Sequence, residues 1–342
     1  MSSPTVSVVI PCFNQGHYLR EALQSVLAQT LPPAEIVVVD DGSTDDTSAV
    51  AGAYSNVRCI HQRNSGLASA RNAGAAHTTG DHVVFLDADD RLKPDALAIG
   101  VRELVAHPAC ALVWGRCVRI DQHGIQLPTV PPPPVAGDAY EALLCNNFIW
   151  TPAVAMFRRS VCGPLMRFNP AVDAAADYEL YLRLVRHFPI HGHTGVVAEY
   201  RMHGASMSSN ASLMLASTME VLRAQRPHLA RRRAYARAYA HGRRTWQFHY
   251  GEQLLRQIEE QGHDRRRWRE VAAMIAVLAR YYPRGLAGHL ARRVLPGGDH
   301  PRGSHPSGGA RRGPAAKTLR RPVDGGTTAT QGVGEPESDL VS

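Results

Sequence analysis

The N-terminal part of the chain alternates short, continuously apolar runs with segments of helical periodicity. The apolar runs have the pattern of strands buried on both faces, and they cover residues 5–10, 36–39, 57–60 and 82–86. Helices are predicted between and after them, over residues 15–29, 44–53, 67–76 and 94–106. Strands alternating with helices of about ten residues are typical of βαβ units, so we expect an α/β fold with a mostly parallel sheet.

The remainder of the chain changes character twice. Strands are predicted at residues 112–120 and 195–200 and a helix at 177–187, with a proline-rich loop at 131–134. From residue 211 the pattern is helical and basic. From residue 296 Gly, Pro, Ser, Thr and Arg dominate, which leaves too little apolar surface to offset the entropy of ordering. We expect an α/β domain over residues 1–210, a basic helical region over 211–295 and a disordered tail over 296–342.

Polar clusters follow the predicted strands at their carboxyl ends. The clusters are residues 11–14, 40–43, 63–66 and 87–90. Because the carboxyl ends of parallel strands meet at one edge of a sheet, and ligands bind at that edge, these clusters should converge on one binding site.

The acidic cluster contains Asp87, Ala88, Asp89 and Asp90. Carboxylates this close repel one another unless a cation lies between them. Their oxygens suit Mg²⁺ or Mn²⁺, and such ions commonly bridge protein carboxylates and substrate phosphates. The alternative is a solvated acidic turn before the helix that starts near residue 94.

Two further clusters favour a nucleotide. Asp41 is suited to accept hydrogen bonds from a base or a ribose, although Asp41 or Ser43 could equally cap the next helix. Residues 64–72 open a helix with a glycine at its N-terminus, which is a favourable place for an anion. Arg71 lies one to two turns into this helix, within reach of a base or a phosphate, although a lone helical Arg is more often a surface residue.

Four segments together resemble family 2 glycosyltransferases of the GT-A fold. They are residues 6–14, 36–45, 66–74 and 85–90, which include Val-Val-Val-Asp-Asp-Gly-Ser-Thr-Asp and Phe-Leu-Asp-Ala-Asp-Asp. The segments occur in the family's order and at its usual spacing. The resemblance is strong over residues 4–105 and weaker to about residue 210, and it implies a C-terminal helical extension beyond the catalytic domain.

The resemblance implies roles for individual residues. Asp41 would bind the base, Asp87 would face the ribose or the sugar, Asp89 would bind the metal and the diphosphate, and Asp90 would assist the metal. The other residues implied to bind the nucleotide or the substrate are Pro11, Phe13, Asn14, Asn64, Gly66, Arg71 and Ala88.

Two later segments extend the resemblance. Asp177 matches the general base that deprotonates the acceptor hydroxyl, although Ala176 replaces the usual Glu. Alternatively, Asp177 is only the N-cap of the following helix. Residues 200–208 resemble a motif whose His or Arg contacts the diphosphate or the metal, which makes His203 a candidate ligand. Alternatively, His203 has a structural role and binds no ligand.

The implied function is metal-dependent, inverting transfer of a sugar from a nucleotide-diphosphate donor to an acceptor hydroxyl. The cofactor would be Mn²⁺ or Mg²⁺ and the donor nucleotide UDP. The acceptor would be a glycan, a lipid-linked molecule or a small molecule, as in bacterial polysaccharide biosynthesis. One alternative is a non-catalytic nucleotide-sugar-binding protein. The other is a nucleotidyltransferase, which would normally carry a basic phosphate-binding loop after the first strand; residues 11–16 of this sequence contain no basic residue.

Charge and cysteine content bear on partners and location. Residues 211–295 contain 17 Arg and 6 acidic residues. They lack interleaved aromatic platforms, so nucleic acid is not expected as a partner. Residues 263–295 alternate apolar residues and Arg at helical spacing, which suits either an anionic membrane surface or packing on the catalytic domain.

With 6 cysteines, no Cys-x-x-Cys pair and no leader or spanning segment, we expect a cytoplasmic protein, peripheral at the inner membrane face if residues 263–295 bind lipid.

Overall fold

The computed structural model describes residues 3–132, 135, 137–261 and 265–294. Its strands are β1 (Val6–Cys12), β2 (Glu35–Asp40), β3 (Arg58–His61), β4 (His82–Phe85), β5 (Arg91–Leu92), β6 (Leu112–Ile120), β7 (Gln126–Leu127), β8 (Ala155–Arg158) and β9 (Ile190–Arg201). The predicted tail over residues 296–342 and residues 133–134 of the predicted proline-rich loop lie outside the described residues.

Helices cover most of the segments between the strands and most of the described residues after residue 210. The α-helices are α1 (Gly16–Leu27), α2 (Thr47–Gly52), α3 (Leu67–Ala76), α4 (Ala96–Ala106), α5 (Ala139–Cys145), α6 (Arg159–Cys162), α7 (Ala176–Val185), α8 (Ala211–Ala224), α9 (Arg233–Gln261), α10 (Trp268–Tyr281) and α11 (Pro283–Val294). Short 3₁₀ helices lie at Pro152–Val154, Gly163–Leu165, Pro170–Ala175, Met207–Ser209, Arg226–Arg231 and Arg265–Arg267.

The strands of the described residues form one sheet in the order β3-β2-β1-β4-β8-β6-β9-β5, with β7 beside β6. Strands β3, β2, β1 and β4 are parallel, as the βαβ pattern predicts. Strand β8 enters antiparallel between β4 and β6, and β6 then pairs in parallel with β9. The short apolar run that forms β8 was not predicted, and β9 starts five residues earlier than the predicted strand at 195–200.

Within the parallel half of the sheet, β1, β2 and β4 are buried on both faces, whereas the edge strand β3 is partly exposed. Val9, Ile10, Val38 and Phe85 are completely buried, which explains why the sequence runs are continuously apolar. Helix α3 approaches β1 closely at Gly74, where an added Cβ would lie 2.2 Å from a Val9 methyl group. This close contact fixes the position of α3, which carries Arg71 of the predicted site and begins directly after Gly66.

The basic helices after residue 211 pack on the α/β domain. Residues 1–294 form one compact unit. Helix α9 lies so close to α5 that a Cβ at Gly242 would be 1.9 Å from the Leu144 carbonyl oxygen. In α10, Leu278 is fully buried. The boundary near residue 210 therefore stays a prediction. No helix among the described residues combines the length and the apolar character that crossing a membrane requires.

Candidate functional site

The loops after β1, β2, β3 and β4 meet at one edge of the sheet. The Asn14 amide donates to Ser43 Oγ over 3.0 Å, which joins the β1 loop to the β2 loop. Gln15 Nε2 donates to Asp89 Oδ2 over 3.3 Å, which joins the β1 loop to the β4 loop. The structure thus brings together the polar clusters that the sequence places after separate strands.

Asp41 organises the loop after β3. Its buried carboxylate accepts hydrogen bonds from Gln62 Nε2 at 2.6 Å and from the Ser65 and Gly66 amides at 2.9 Å each. Gly66 has a φ of +90°, a conformation that favours glycine. Asp41 therefore shapes the loop that carries Asn64 and Gly66, and its contact with a base stays a prediction.

The β1 loop presents one aromatic side chain to solvent. Phe13 is 46% exposed, so its ring is free to stack on a ligand. Pro11 is buried within β1, opposite Val39 of β2, and contributes mainly to the sheet. Asn14 has a φ of +52°, and its side-chain oxygen accepts a hydrogen bond from the Thr44 amide at 2.8 Å.

Arg71 is a buried cation between two carboxylates. It is 3% exposed, and its Nη2 donates to Asp87 Oδ1 over 2.6 Å. Its guanidinium carbon lies 5.1 Å from the centre of the Phe168 ring. Burial alone would lower the pKa of Arg71, but the charges of Asp87 and Asp177 outweigh this effect and raise it. Arg71 is therefore not the surface residue that a lone helical Arg usually is.

Asp177 lies at the start of α7, close enough to Arg71 and Asp87 to interact with their charges. Burial raises its pKa to about 6, against the opposing effect of Arg71. Ala175 occupies the N-cap position of α7, so Asp177 is not the cap. Ala176 is fully buried, so the departure from the family's Glu falls at a position that faces the core.

Asp89 and His203 form the pair best suited to a metal. Asp89 Oδ2 lies 2.9 Å from His203 Nε2, and the two side chains are 14% and 7% exposed. A carboxylate oxygen beside an imidazole nitrogen is a donor set that Mn²⁺ accepts, with phosphate oxygens completing the coordination. The residues present therefore fit the implied ion.

Both carboxylate oxygens of the buried Asp90 accept hydrogen bonds within the protein. Its Oδ1 accepts from the Arg201 amide at 2.9 Å and its Oδ2 accepts from Thr151 Oγ1 at 3.1 Å. Burial, together with the charges of Asp89 and Asp87, raises the pKa of Asp90 well above its usual value. Ala88 between them is also buried. The geometry gives Asp90 a supporting position, and its assistance to a metal stays a prediction.

Arg201 holds the acidic loop in place. Its side chain is completely buried, and Nε donates to the Asp89 carbonyl oxygen over 2.7 Å. Nη2 donates to Glu21 Oε2 of α1 over 2.7 Å, and the guanidinium lies 4.6 Å from the centre of the Tyr18 ring. Sequence reasoning assigned no role to Glu21 or Tyr18. The one signal for Arg201 was its place in the segment that also contains His203.

Asp173 caps α3 from a distant part of the chain. Its Oδ1 accepts from the Ala68 amide at 2.6 Å and its Oδ2 accepts from the Leu67 amide at 3.2 Å. The sequence predicts that this helix N-terminus favours an anion, and the structure places the Asp173 carboxylate there. Asn72 and Phe168 add two reciprocal hydrogen bonds of 2.8 Å. The segment that leads to Asp177 is therefore fixed to the helix that carries Arg71.

Comparison with known proteins identifies the family. The sequence model of glycosyl transferase family 2 matches residues 7–164. TuaG of Bacillus subtilis, a glycosyltransferase named for teichuronic acid biosynthesis, is 32% identical over 213 residues, which are 60% of this chain and 82% of TuaG. The chain belongs to glycosyl transferase family 2. The resemblance seen in the sequence is thereby confirmed.

Other members of family 2 are longer. The chondroitin synthase of Escherichia coli is 30% identical over 211 residues, which are 60% of this chain and 30% of that protein. The chain spans about a third of the length of several such relatives. The mannosyltransferase PcManGT from Pyrobaculum calidifontis aligns over 86% of this chain and 88% of its own, with 21% identity and a TM-score of 0.56. The predicted GT-A fold is confirmed.

The cap supplied by Asp173 yields a stability prediction for this family 2 chain. Asp173→Ala removes two hydrogen bonds to the N-terminus of α3, so it should lower the free energy of unfolding by about 1 kcal/mol, as the loss of an N-cap does. Urea unfolding followed by circular dichroism measures this. Asp46→Ala is the matched control, because Asp46 is the N-cap of α2 but makes no side-chain capping bond. Equal effects of the two substitutions would contradict the role given to Asp173.

Proposed function

We propose that the protein is a metal-dependent, inverting glycosyltransferase that uses a nucleotide-diphosphate sugar. The observation that carries the proposal is the ion pair of the buried Arg71 with the part-buried Asp87, close to Asp177 and to the pair formed by Asp89 and His203. A candidate base and a candidate metal pair would then belong to one site of a family 2 domain. Burial raises the pKa of Asp177 to about 6, which favours a catalytic site over a site for binding alone.

The donor would be held by the loops after β1 to β4. Phe13 offers its ring to the base, and Asp41 and Gly66 shape the adjoining loop. Asp89 and His203 would hold Mn²⁺ or Mg²⁺, which when bound supplies positive charge to a diphosphate leaving group. PcManGT has been described in complex with GDP-Man and Mn2+, which supports a donor of this class. A UDP-sugar is the first donor to test and GDP-mannose the second.

The transfer itself would be a single displacement. The acceptor oxygen forms a bond to the anomeric carbon while the bond from that carbon to the diphosphate oxygen breaks. Asp177 takes the proton of the acceptor hydroxyl. Arg71, held between Asp177 and Asp87, favours the ionised form of both carboxylates. The step inverts the anomeric centre and requires no nucleophile from the protein.

The acceptor would be the hydroxyl of a growing glycan, free or linked to a lipid. The names of TuaG and of the chondroitin synthase support a place in polysaccharide biosynthesis. Neither name fixes the acceptor of this chain.

Donor binding should depend on metal and on Asp89. At a donor concentration 100 times the Kd, the correct nucleotide sugar with Mn²⁺ should raise the Tm by about 5 °C. A screen of UDP-, GDP- and dTDP-sugars with Mn²⁺ or with EDTA measures this shift.

Asp89→Asn should abolish the Mn²⁺-dependent part of the shift. Asp95→Asn, which alters an exposed carboxylate at the start of α4, should leave it intact. An equal shift in EDTA would rule out the metal, and the absence of any shift in a folded sample would rule out the donor class.

Asp177 should set the acid limb of the pH–rate profile. A base must be deprotonated to act, so kcat should fall tenfold per pH unit below about pH 6, the pKa to which burial raises Asp177. Asp177→Asn should lower kcat at least 100-fold and leave the donor Kd nearly unchanged. Glu179→Gln is the control, because Glu179 lies on the same helix and pairs with Arg183 over 2.8 Å. NMR of the product gives the anomeric configuration, and retention would overturn the mechanism.

Helix α10 offers a surface for an anionic membrane. One face packs inward through Leu278, while Trp268 and Ile275 on another face are 62% and 42% exposed. Arg269 lies beside this exposed face, with its guanidinium carbon 5.4 Å from the centre of the Trp268 ring. Exposed aromatic and aliphatic residues next to Arg are typical of helices that lie in the interface of an anionic bilayer. Such a surface would bring the site close to lipid-linked acceptors.

Vesicle binding tests the membrane surface directly. The full chain should co-sediment with phosphatidylglycerol vesicles but not with phosphatidylcholine vesicles, and 0.5 M salt should weaken the binding by screening charge. The double variant Trp268→Ser and Ile275→Ser should lower binding at least tenfold. Ile125→Ser is the control, because Ile125 is 64% exposed outside α10. Equal binding by all three proteins, or none by any, would contradict this surface.

A further inference from the structure

A cluster of potential metal ligands joins the end of α4 to the start of β9. Glu103 and His107 lie on or just after the last turn of α4, and His191 is the second residue of β9. One ligand atom from each of these residues lies within 4.8 Å of the others. The cluster is remote from the donor site, because His191 and Arg201 are separated by ten residues of extended strand, or about 30 Å.

The hydrogen bonds of the cluster leave the ligand atoms available. His107 Nδ1 lies 2.9 Å from the Glu103 carbonyl oxygen, which only accepts, so Nδ1 carries the proton and Nε2 keeps its lone pair. Arg102 donates to Glu103 Oε1, and Glu103 Oε2 faces His191 Nε2 at 3.8 Å. Metal-binding histidines regularly donate the hydrogen of the other ring nitrogen to a protein oxygen, which fixes the imidazole tautomer.

The ligand residues of the cluster are held close to one another. The rings of His107 and His191 are stacked with centroids 3.6 Å apart. Neutral imidazole and ionised carboxylate are the forms that bind metal, and the cluster provides two imidazoles and one carboxylate.

We propose that Glu103, His107 and His191 form a second metal site that binds one Zn²⁺ ion, with water in the remaining position. Two imidazoles and one carboxylate form a ligand set that Zn²⁺ accepts, whereas Mg²⁺ prefers oxygen ligands alone. Binding requires the stacked rings to tilt so that both lone pairs meet at the ion, and the 36% exposed His191 side chain has room to do so. The ion would tie α4 to β9 and stabilise the fold.

The test compares two histidines in the same local setting. His77 follows α3 as His107 follows α4, and its Nδ1 also bonds to the carbonyl oxygen four residues earlier, at 2.8 Å. The full chain, stripped with EDTA, is titrated with Zn²⁺ by calorimetry and with Co²⁺ by visible absorbance. His107→Gln should lose one equivalent of Zn²⁺ and the corresponding Co²⁺ band. His77→Gln should keep both.

Two further variants separate the outcomes. Asp89→Asn should keep the equivalent of Zn²⁺ that His107→Gln loses, which distinguishes this site from the donor site and makes it independent of the proposed transfer reaction. If His107→Gln does not fold without metal, the titration is repeated with Glu103→Gln, provided that this variant melts at the same temperature as the wild type. The same stoichiometry in wild type and in the folded cluster variant would overturn the proposal.

Discussion

The architecture of the candidate site depends on a buried cation, the guanidinium of Arg201. Removing a charge from water costs several kcal/mol unless partners compensate it, and here they are the Asp89 carbonyl oxygen and the Glu21 carboxylate. The main-chain amide of Arg201 also donates to Asp90. Helix α1, the acidic loop and the end of β9 are thereby joined at one residue. The planar fork of Arg reaches these partners together, whereas the single ammonium of Lys would not.

A second buried cation, Arg71, bears on the proposed chemistry more than on the architecture. Asp87 and Asp177 both interact with its charge, and the charge of Asp87 also raises the pKa of Asp177. Asp87 takes the direct hydrogen bond from Arg71. Asp177 interacts with Arg71 through charge, accepts a hydrogen bond from the Tyr178 amide at 2.7 Å and has a pKa that burial raises to about 6. In the proposed reaction Asp87 would therefore have a structural task, and Asp177 would exchange the proton.

Local patterns in the sequence predict much of this molecule, and distant pairings explain the rest. The parallel strands and the loops after them could be predicted because each strand is a continuous run of apolar residues followed directly by a polar cluster. The antiparallel strand β8, the Arg201 contacts and the Asp173 cap could not, because their partners are distant in the sequence and share no period. Ala68 lies 105 residues from Asp173, and Glu21 lies 180 residues from Arg201. Asp177 was found by family resemblance, since an Asp near a helix start has many ordinary explanations.

Helix α3 belongs to both halves of the proposed reaction centre. It carries Arg71 on the donor side, and through Asp173 and the bonds between Asn72 and Phe168 it holds the segment that ends in Asp177. In the proposed reaction, a displacement of α3 on binding of one substrate would therefore change the binding surface of the other. Thermodynamic linkage would make this effect reciprocal, because each substrate would change the affinity for the other by the same factor. The way one helix is capped would thereby couple the two substrates.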